Sequence, residues 1–367
     1  MQYAIDTRCI HGEGHKTEDA NCSISYPIYQ TASFSHLTPG HNPNGFDYSR
    51  ESNPTRAYLE ETVSSLEYAC DTIAFASGMA AIATVFELFR PGDHILLGED
   101  LYGGVVRLID RISIKNGYEA EYVDTSDLRR LQAKIRSDTR AVYLETPSNP
   151  MMHVTDIRKA AEIAHAAGAI LIVDNTFMTP YFQNPIREGA DIVVHSGTKY
   201  LSGHNDTVCG FLCSANRELA DHFRLLSKTT GATLGPFECW LCLRGLKTLA
   251  LRMERHRSNA EKVRQWLLAN DKVRKVYYAG SGMVSFEVDS AERADGILKN
   301  IRLITFAESL GGTESLLTYP TVQTHPDVPA EKKEKLGIND RLLRLSVGIE
   351  NPDDIIRDLE QAFEKAV

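Results

Sequence analysis

Between residues 72 and 214 the chain alternates short β-branched runs with longer amphipathic stretches. The runs are "TIAFAS", "HILLGED", "AVYLET", "AILIVDN", "DIVVHS" and "CGFLCS", each bounded by Gly, Pro or polar turn residues. Segments between them, such as "DIRKAAEIAHAAG", carry helical periodicity. Strands that alternate with helices predict an α/β fold with a mostly parallel sheet covered by helices. In such sheets ligands collect beyond the carboxyl ends of the strands, so the residues following each run are where chemistry is to be sought.

Three of these ends carry candidate groups. "TIAFASGMAAIATVFELF" reads as a strand, then Ser77-Gly78-Met79, then a helix whose first N–H groups are free to bind an anion. A tight turn with a serine cap accounts equally well for the same residues. The turn is neither a G-x-G-x-x-G dinucleotide fingerprint nor a P-loop. "AILIVDNTF" ends an apolar strand on Asp174, either as a capping aspartate or as a partly buried carboxylate in need of a cation. "ADIVVHSGTKYLSGHND" places Lys199 directly after a buried strand, flanked by the hydroxyls of Ser196 and Thr198. An amine there, close to a phosphate-ready helix terminus, fits a Schiff base with pyridoxal phosphate. The ring nitrogen of that cofactor is then the partner Asp174 calls for.

Composition narrows the partners. A chain of 367 residues with 43% hydrophobic content supports a large core and, at ~150 residues per domain, two or three domains. The net charge of −9 comes without a basic stripe, which argues against nucleic acid and anionic membranes and in favour of a small metabolite. The first residues lack an apolar signal core and no run approaches the ~18 apolar residues of a spanning helix, so a cytoplasmic location is expected. Seven scattered cysteines do not suggest a disulfide framework. The single close pair, Cys239 and Cys242, opens an apolar run and is expected to be structural rather than redox-active or metal-binding.

Eight motifs in series, "DYSRESNPTR", "ASGMAA", "LYGG", "ETPSNP", "VDNTF", "HSGTKYLSGHND", "ESLGGTESL" and "RLLRLSVGIE", resemble those of the Cys/Met-metabolism family of pyridoxal-phosphate enzymes. That family includes cystathionine β-lyase, γ-lyase and γ-synthase. The resemblance implies fold type I, the aspartate-aminotransferase-like α/β architecture with a mostly parallel central sheet and a smaller C-terminal α/β domain. It implies an arm over residues 1–50 that reaches a neighbouring subunit, a cofactor domain over 51–245 and a C-terminal domain over 246–367. A homotetramer built as a dimer of dimers follows from the same pattern.

Residue by residue, the resemblance makes Lys199 the cofactor-bearing lysine and catalytic base, with Tyr102 stacking on the cofactor ring and aiding proton transfer. Ser77, Gly78, Met79, Ser196 and Thr198 correspond to phosphate ligands, and Asp174 to the partner of the ring nitrogen. Asn149 corresponds to a residue near the cofactor's phenolic oxygen and the substrate. Tyr48 and Arg50 correspond to residues that reach the phosphate of the neighbouring subunit. Arg344 matches the grip on the substrate α-carboxylate, a role that suits a guanidinium in an apolar strand; an edge-strand arginine facing solvent is the alternative. Glu308 and Ser309 resemble the γ-synthase and γ-lyase pattern at the substrate, while Gly104 stands where methionine γ-lyases carry cysteine. The chain departs from the family at "VYYAGSGMVSF", which lacks a proline-containing segment of about a helix length.

The expected activity is pyridoxal-phosphate-dependent cleavage of cystathionine by β- or γ-elimination, with γ-replacement by a cystathionine γ-synthase as the alternative. No metal is expected. Two other classes fit less well. A nicotinamide dehydrogenase leaves Lys199 unexplained, and a catalytically silent cofactor-binding protein has no need of Arg344 and Tyr102.

Overall fold

All six apolar runs form strands in the computed structural model, which describes residues 3–12, 22–39, 41–42, 44–326 and 328–366. They are β1 (Asp71–Phe75), β2 (His94–Gly98), β4 (Thr139–Glu145), β5 (Ile170–Asp174), β6 (Ile192–Ser196) and β7 (Gly210–Ser214). A seventh strand, β3 (Glu119–Val123), was not among the runs. It forms an edge of the sheet, and its Glu119 and Glu121 turn outward to pair with Arg136 and Lys134. Charged side chains of this kind protect an exposed edge and erase the apolar signature of a strand.

The strand order is β1-β7-β6-β5-β4-β2-β3. From β6 to β3 every pairing is parallel, whereas β7 runs antiparallel to both β6 and β1. The sheet is therefore mostly parallel, with one reversal beside the Lys199 turn. Both faces are buried, one against Leu59, Val63 and Leu246 and the other against Val85, Phe86 and Phe223. "DIRKAAEIAHAAG" forms the helix Ile157–Ala166, capped by Asp156 and buried along Ile157, Ala160, Ala161 and Ala164, the spacing of one helical face.

The C-terminal part builds a second sheet from β8 (Val273–Tyr278), β9 (Met283–Val288), β10 (Thr305–Phe306), β11 (Leu316–Thr318) and β12 (Leu342–Ser346). Their order is β10-β11-β12-β9-β8. Helices Ala291–Asn300 and Pro352–Lys365 lay Ile297, Leu359 and Phe363 on Phe286, Leu343 and Leu345. β8 and β9 form a hairpin in which Tyr278 pairs with Val284, so the four residues 279–282 make the whole connection at the family departure. Cys239 and Cys242 lie on helix Pro236–Leu246 as free thiols packed into the first core. No helix among the described residues is long and apolar enough to cross a membrane.

Candidate active site

A cavity of about 220 Å3 opens where the carboxyl ends of β4, β5 and β6 meet the second sheet. Twelve of the candidate residues line it: Ser77, Gly78, Met79, Tyr102, Asn149, Asp174, Ser196, Thr198, Lys199, Glu308, Ser309 and Arg344. Tyr48 and Arg50 do not. Arg50 stacks over the Tyr48 ring at 5.4 Å and donates to the Lys228 carbonyl, and Tyr48 is exposed.

Lys199 is held by the turn that leaves β6. Its N–H donates to Ser196 O at 3.2 Å, and Thr198 and Cys209 exchange hydrogen bonds that tie the turn to the approach of β7. Its Nζ donates to Ser309 Oγ at 3.1 Å. Burial, helped by the positive charge of Arg344 and opposed by Glu308, lowers the Lys199 pKa from 10.5 to about 8. A neutral amine is therefore accessible near physiological pH, the form needed both to attack a carbonyl carbon and to accept a proton.

Asp174 ends β5 and takes the Thr176 N–H at 3.0 Å; among the described residues no cationic side chain bonds it. Burial raises its pKa, against the pull of Thr176, His195 and Tyr143. A buried carboxylate without a cation is costly, and a protonated ring nitrogen supplies the missing charge. Glu145, the register neighbour of Asp174 on β4, accepts the Tyr102 N–H at 3.0 Å. Burial, then repulsion from Asp174, raises its pKa well above the usual carboxylate range. Tyr102 opens the helix Gly103–Arg107, and a Cβ on Gly104 would stand 2.4 Å from its ring. A glycine at 104 therefore leaves the ring its place.

Ser77 caps the helix Gly78–Phe86 by accepting the Ala80 N–H at 3.1 Å. This helix terminus lies against Ser196, and with the hydroxyls of Ser77, Ser196 and Thr198 it lines the cavity, a set suited to a phosphate. Arg344 lies on β12, an interior strand paired with β11 and β9, so the solvent-facing edge arginine is excluded. It is 2% exposed. Its Nη1 donates to Asn149 Oδ1 at 2.6 Å and its Nη2 to Ser309 O and Thr318 Oγ1, both at 3.3 Å. Its Nε has no partner among the described residues. A buried guanidinium with no carboxylate bonded to it has the charge and the donors that suit one.

The residues present thus suit pyridoxal phosphate and an amino-acid carboxylate. Glu145, Thr176, Thr324 and Val208 also line the cavity and were missed in the sequence. Glu145 had a usable signal, since it ends an apolar strand as Asp174 does.

The model of the Cys/Met metabolism PLP-dependent enzyme family matches residues 6–364. The chain is 45% identical to a cystathionine β-lyase of Lactococcus lactis subsp. cremoris over 379 aligned residues, covering 99% of both. It is 44% identical to a cystathionine γ-synthase of Haemophilus influenzae over 366 residues, covering 99% of this chain and 98% of the relative. The crystal structure of a cystathionine γ-lyase from Lactobacillus plantarum, complexed with L-serine, superposes with a TM-score of 0.95 at 41% identity and covers 99% of both chains.

Proposed function

This chain belongs to the Cys/Met metabolism family of PLP-dependent enzymes, and from that premise we propose that it is a carbon–sulfur lyase that cleaves cystathionine by β- or γ-elimination. The observation that carries this reading is one cavity holding both a lysine of lowered pKa and a buried arginine without a carboxylate. Pyridoxal phosphate, when bound, supplies an electron sink that stabilises negative charge at a substrate α-carbon.

Each side chain has a part in this reading. Lys199 holds the cofactor, and its Nζ, once free, removes the proton from the α-carbon. Ser309, 3.1 Å from that Nζ, keeps the amine oriented. Asp174 keeps the ring nitrogen charged, Ser77, Gly78, Met79, Ser196 and Thr198 hold the phosphate, and the Tyr102 ring covers the cofactor and assists proton movement. Arg344 takes the α-carboxylate while Asn149 faces both substrate and cofactor, and Glu308 at the cavity mouth meets the distal part of the substrate.

Apart from Lys199 and Arg344, to which other parts are given above, the residues lining the cavity include no lysine or arginine to meet the phosphate charge. Arg50, which with Tyr48 lies outside its own chain's cavity, supplies that charge to a neighbouring subunit, and Tyr48 adds a hydroxyl. With this reading go an arm over residues 1–50 that reaches a neighbouring subunit, a cofactor domain over 51–245, a C-terminal domain over 246–367 and a homotetramer assembled as a dimer of dimers. A cytoplasmic location goes with the same metabolic role.

Incubation with cystathionine and identification of the keto acid tests the reading. Pyruvate marks β-cleavage and 2-oxobutyrate γ-cleavage. A γ-synthase, favoured by the relative in Haemophilus influenzae, instead makes cystathionine from cysteine and an O-acylhomoserine at a rate well above its release of either keto acid. A protein that does none of these things is not the enzyme proposed.

A further inference from the structure

We propose that His325 is a positioning residue that fixes the Tyr102 and Asn149 loops relative to Arg344, and so sets the affinity of the site for the substrate carboxylate. The proposal rests on the roles given above to Asn149 and Arg344.

His325 lies in the segment that follows β11 and is 1% exposed. Its Nε2 stands 3.1 Å from the Asn149 carbonyl and 3.3 Å from the Leu101 carbonyl, partners 176 and 224 positions away in sequence. Its Nδ1 stands 2.7 Å from the hydroxyl of Thr324. Carbonyls only accept, so Nε2 carries the hydrogen and Nδ1 accepts from Thr324. Burial, with Arg344 adding repulsion, lowers the His325 pKa to about 4, so the ring is neutral at ordinary pH and the tautomer is set by its neighbours.

The two carbonyls belong to the loops that matter. Leu101 precedes Tyr102, and Asn149 turns its own side chain the other way to receive Arg344 Nη1. A single N–H shared between these carbonyls therefore holds the cofactor-side loops against the segment that follows β11, the strand paired with the one that carries the arginine. Thr324 presses on the same place: a Cβ at Gly103 would lie 2.3 Å from its carbonyl oxygen. The glycine lets the segment close on the Tyr102 loop.

A histidine that only filled space would be replaced without loss by an apolar side chain of similar size. Removing the shared donor instead leaves two buried acceptors unpaired and frees Asn149 to move away from Arg344. The test compares wild type with His325→Leu, His325→Gln and Arg344→Lys. It measures cofactor affinity of the cofactor-free protein, the inhibition constant of propionate as a carboxylate without an amine, and kcat and KM for cystathionine.

His325→Leu is expected to weaken propionate and raise KM about tenfold while cofactor affinity changes by less than about threefold. His325→Gln, whose amide offers N–H donors, is expected to recover most of the loss. Wild-type propionate and KM values in His325→Leu overturn the proposal. So does a loss of cofactor affinity equal to the loss of carboxylate affinity, or a glutamine variant no better than leucine. If the leucine variant does not fold, His325→Asn, too short to reach both carbonyls, is judged by the same criteria. Arg344→Lys separates the two levels. Unchanged propionate binding there overturns the carboxylate site itself, while weakened binding there with wild-type values in His325→Leu overturns only the role of His325.

Discussion

Arg344 and Asn149, 195 positions apart, are joined by a 2.6 Å hydrogen bond that ties the second sheet to the loop after β4, and both line one cavity. The bond occupies one arm of the guanidinium fork, and Nε has no partner among the described residues. Arg344→Lys keeps the charge but offers a point-like ammonium in place of parallel donors. kcat/KM is expected to fall at least about tenfold, the range for losing one charge-assisted hydrogen bond, with kcat dropping as well because the carboxylate also orients the α-proton toward Lys199. The visible spectrum of the bound cofactor should not change. Normal steady-state kinetics in this variant would move the carboxylate site elsewhere.

Lys199→Ala is expected to abolish turnover while retaining part of the affinity for the cofactor through the phosphate ligands. Borohydride reduction of the wild-type protein followed by peptide mapping should find the cofactor on Lys199. An active alanine variant, or a label on another lysine, would remove the basis of the mechanism.

The lowered pKa of Lys199 also has a signature in the cofactor-free protein. Between pH 8 and 10.5 the unfolded chain holds a proton that the folded lysine has lost, so folding is favoured more strongly as pH rises through that window. Below pH 8 the buried ammonium weakens the fold, by at most about 3 kcal/mol relative to a side chain that does not titrate. Urea unfolding of wild type and Lys199→Met at pH 7.5 and pH 10 should show the wild type gaining on the variant at the higher pH. Parallel behaviour at both values would mean that Lys199 titrates normally.

Arg50→Ala, impaired alone, and Lys199→Ala, inactive alone, are expected to regain partial activity when mixed and allowed to exchange subunits, since one site in a mixed dimer keeps both residues. Exchange shown by differently tagged chains without recovery of activity would place Arg50 in its own subunit's site.

Much of this was legible in the chain because burial leaves a mark on sequence. β4, β5 and β6 are apolar runs, and Asp174 and Lys199 stand out as charges where such runs stop. β3 left no such mark, since its alternate residues are glutamates facing solvent. The reversed direction of β7 is decided by pairing with β1 and β6 over long separations, to which local periodicity is blind. His325 was invisible for the same reason. A histidine between Thr324 and Pro326 has no pattern of its own, and its partners lie far upstream. Tyr48 and Arg50 had a role only through family resemblance, and within one chain they stand apart from the cavity.

The four-residue connection between β8 and β9 bears on protein engineering. Gly280 has φ +91° and nothing within 4 Å of where a Cβ would stand, whereas a Cβ two residues later on Gly282 would lie 2.6 Å from the Tyr200 hydroxyl, next to Lys199 in sequence. Beside the turn a surface cavity of about 400 Å3 is bounded by Glu254, Arg257, Glu261 and Tyr278. A grafted peptide, an affinity tag or the new termini of a circular permutant therefore has room on the Ala279–Gly280 side. The same graft placed after Gly282 would push on the lysine turn.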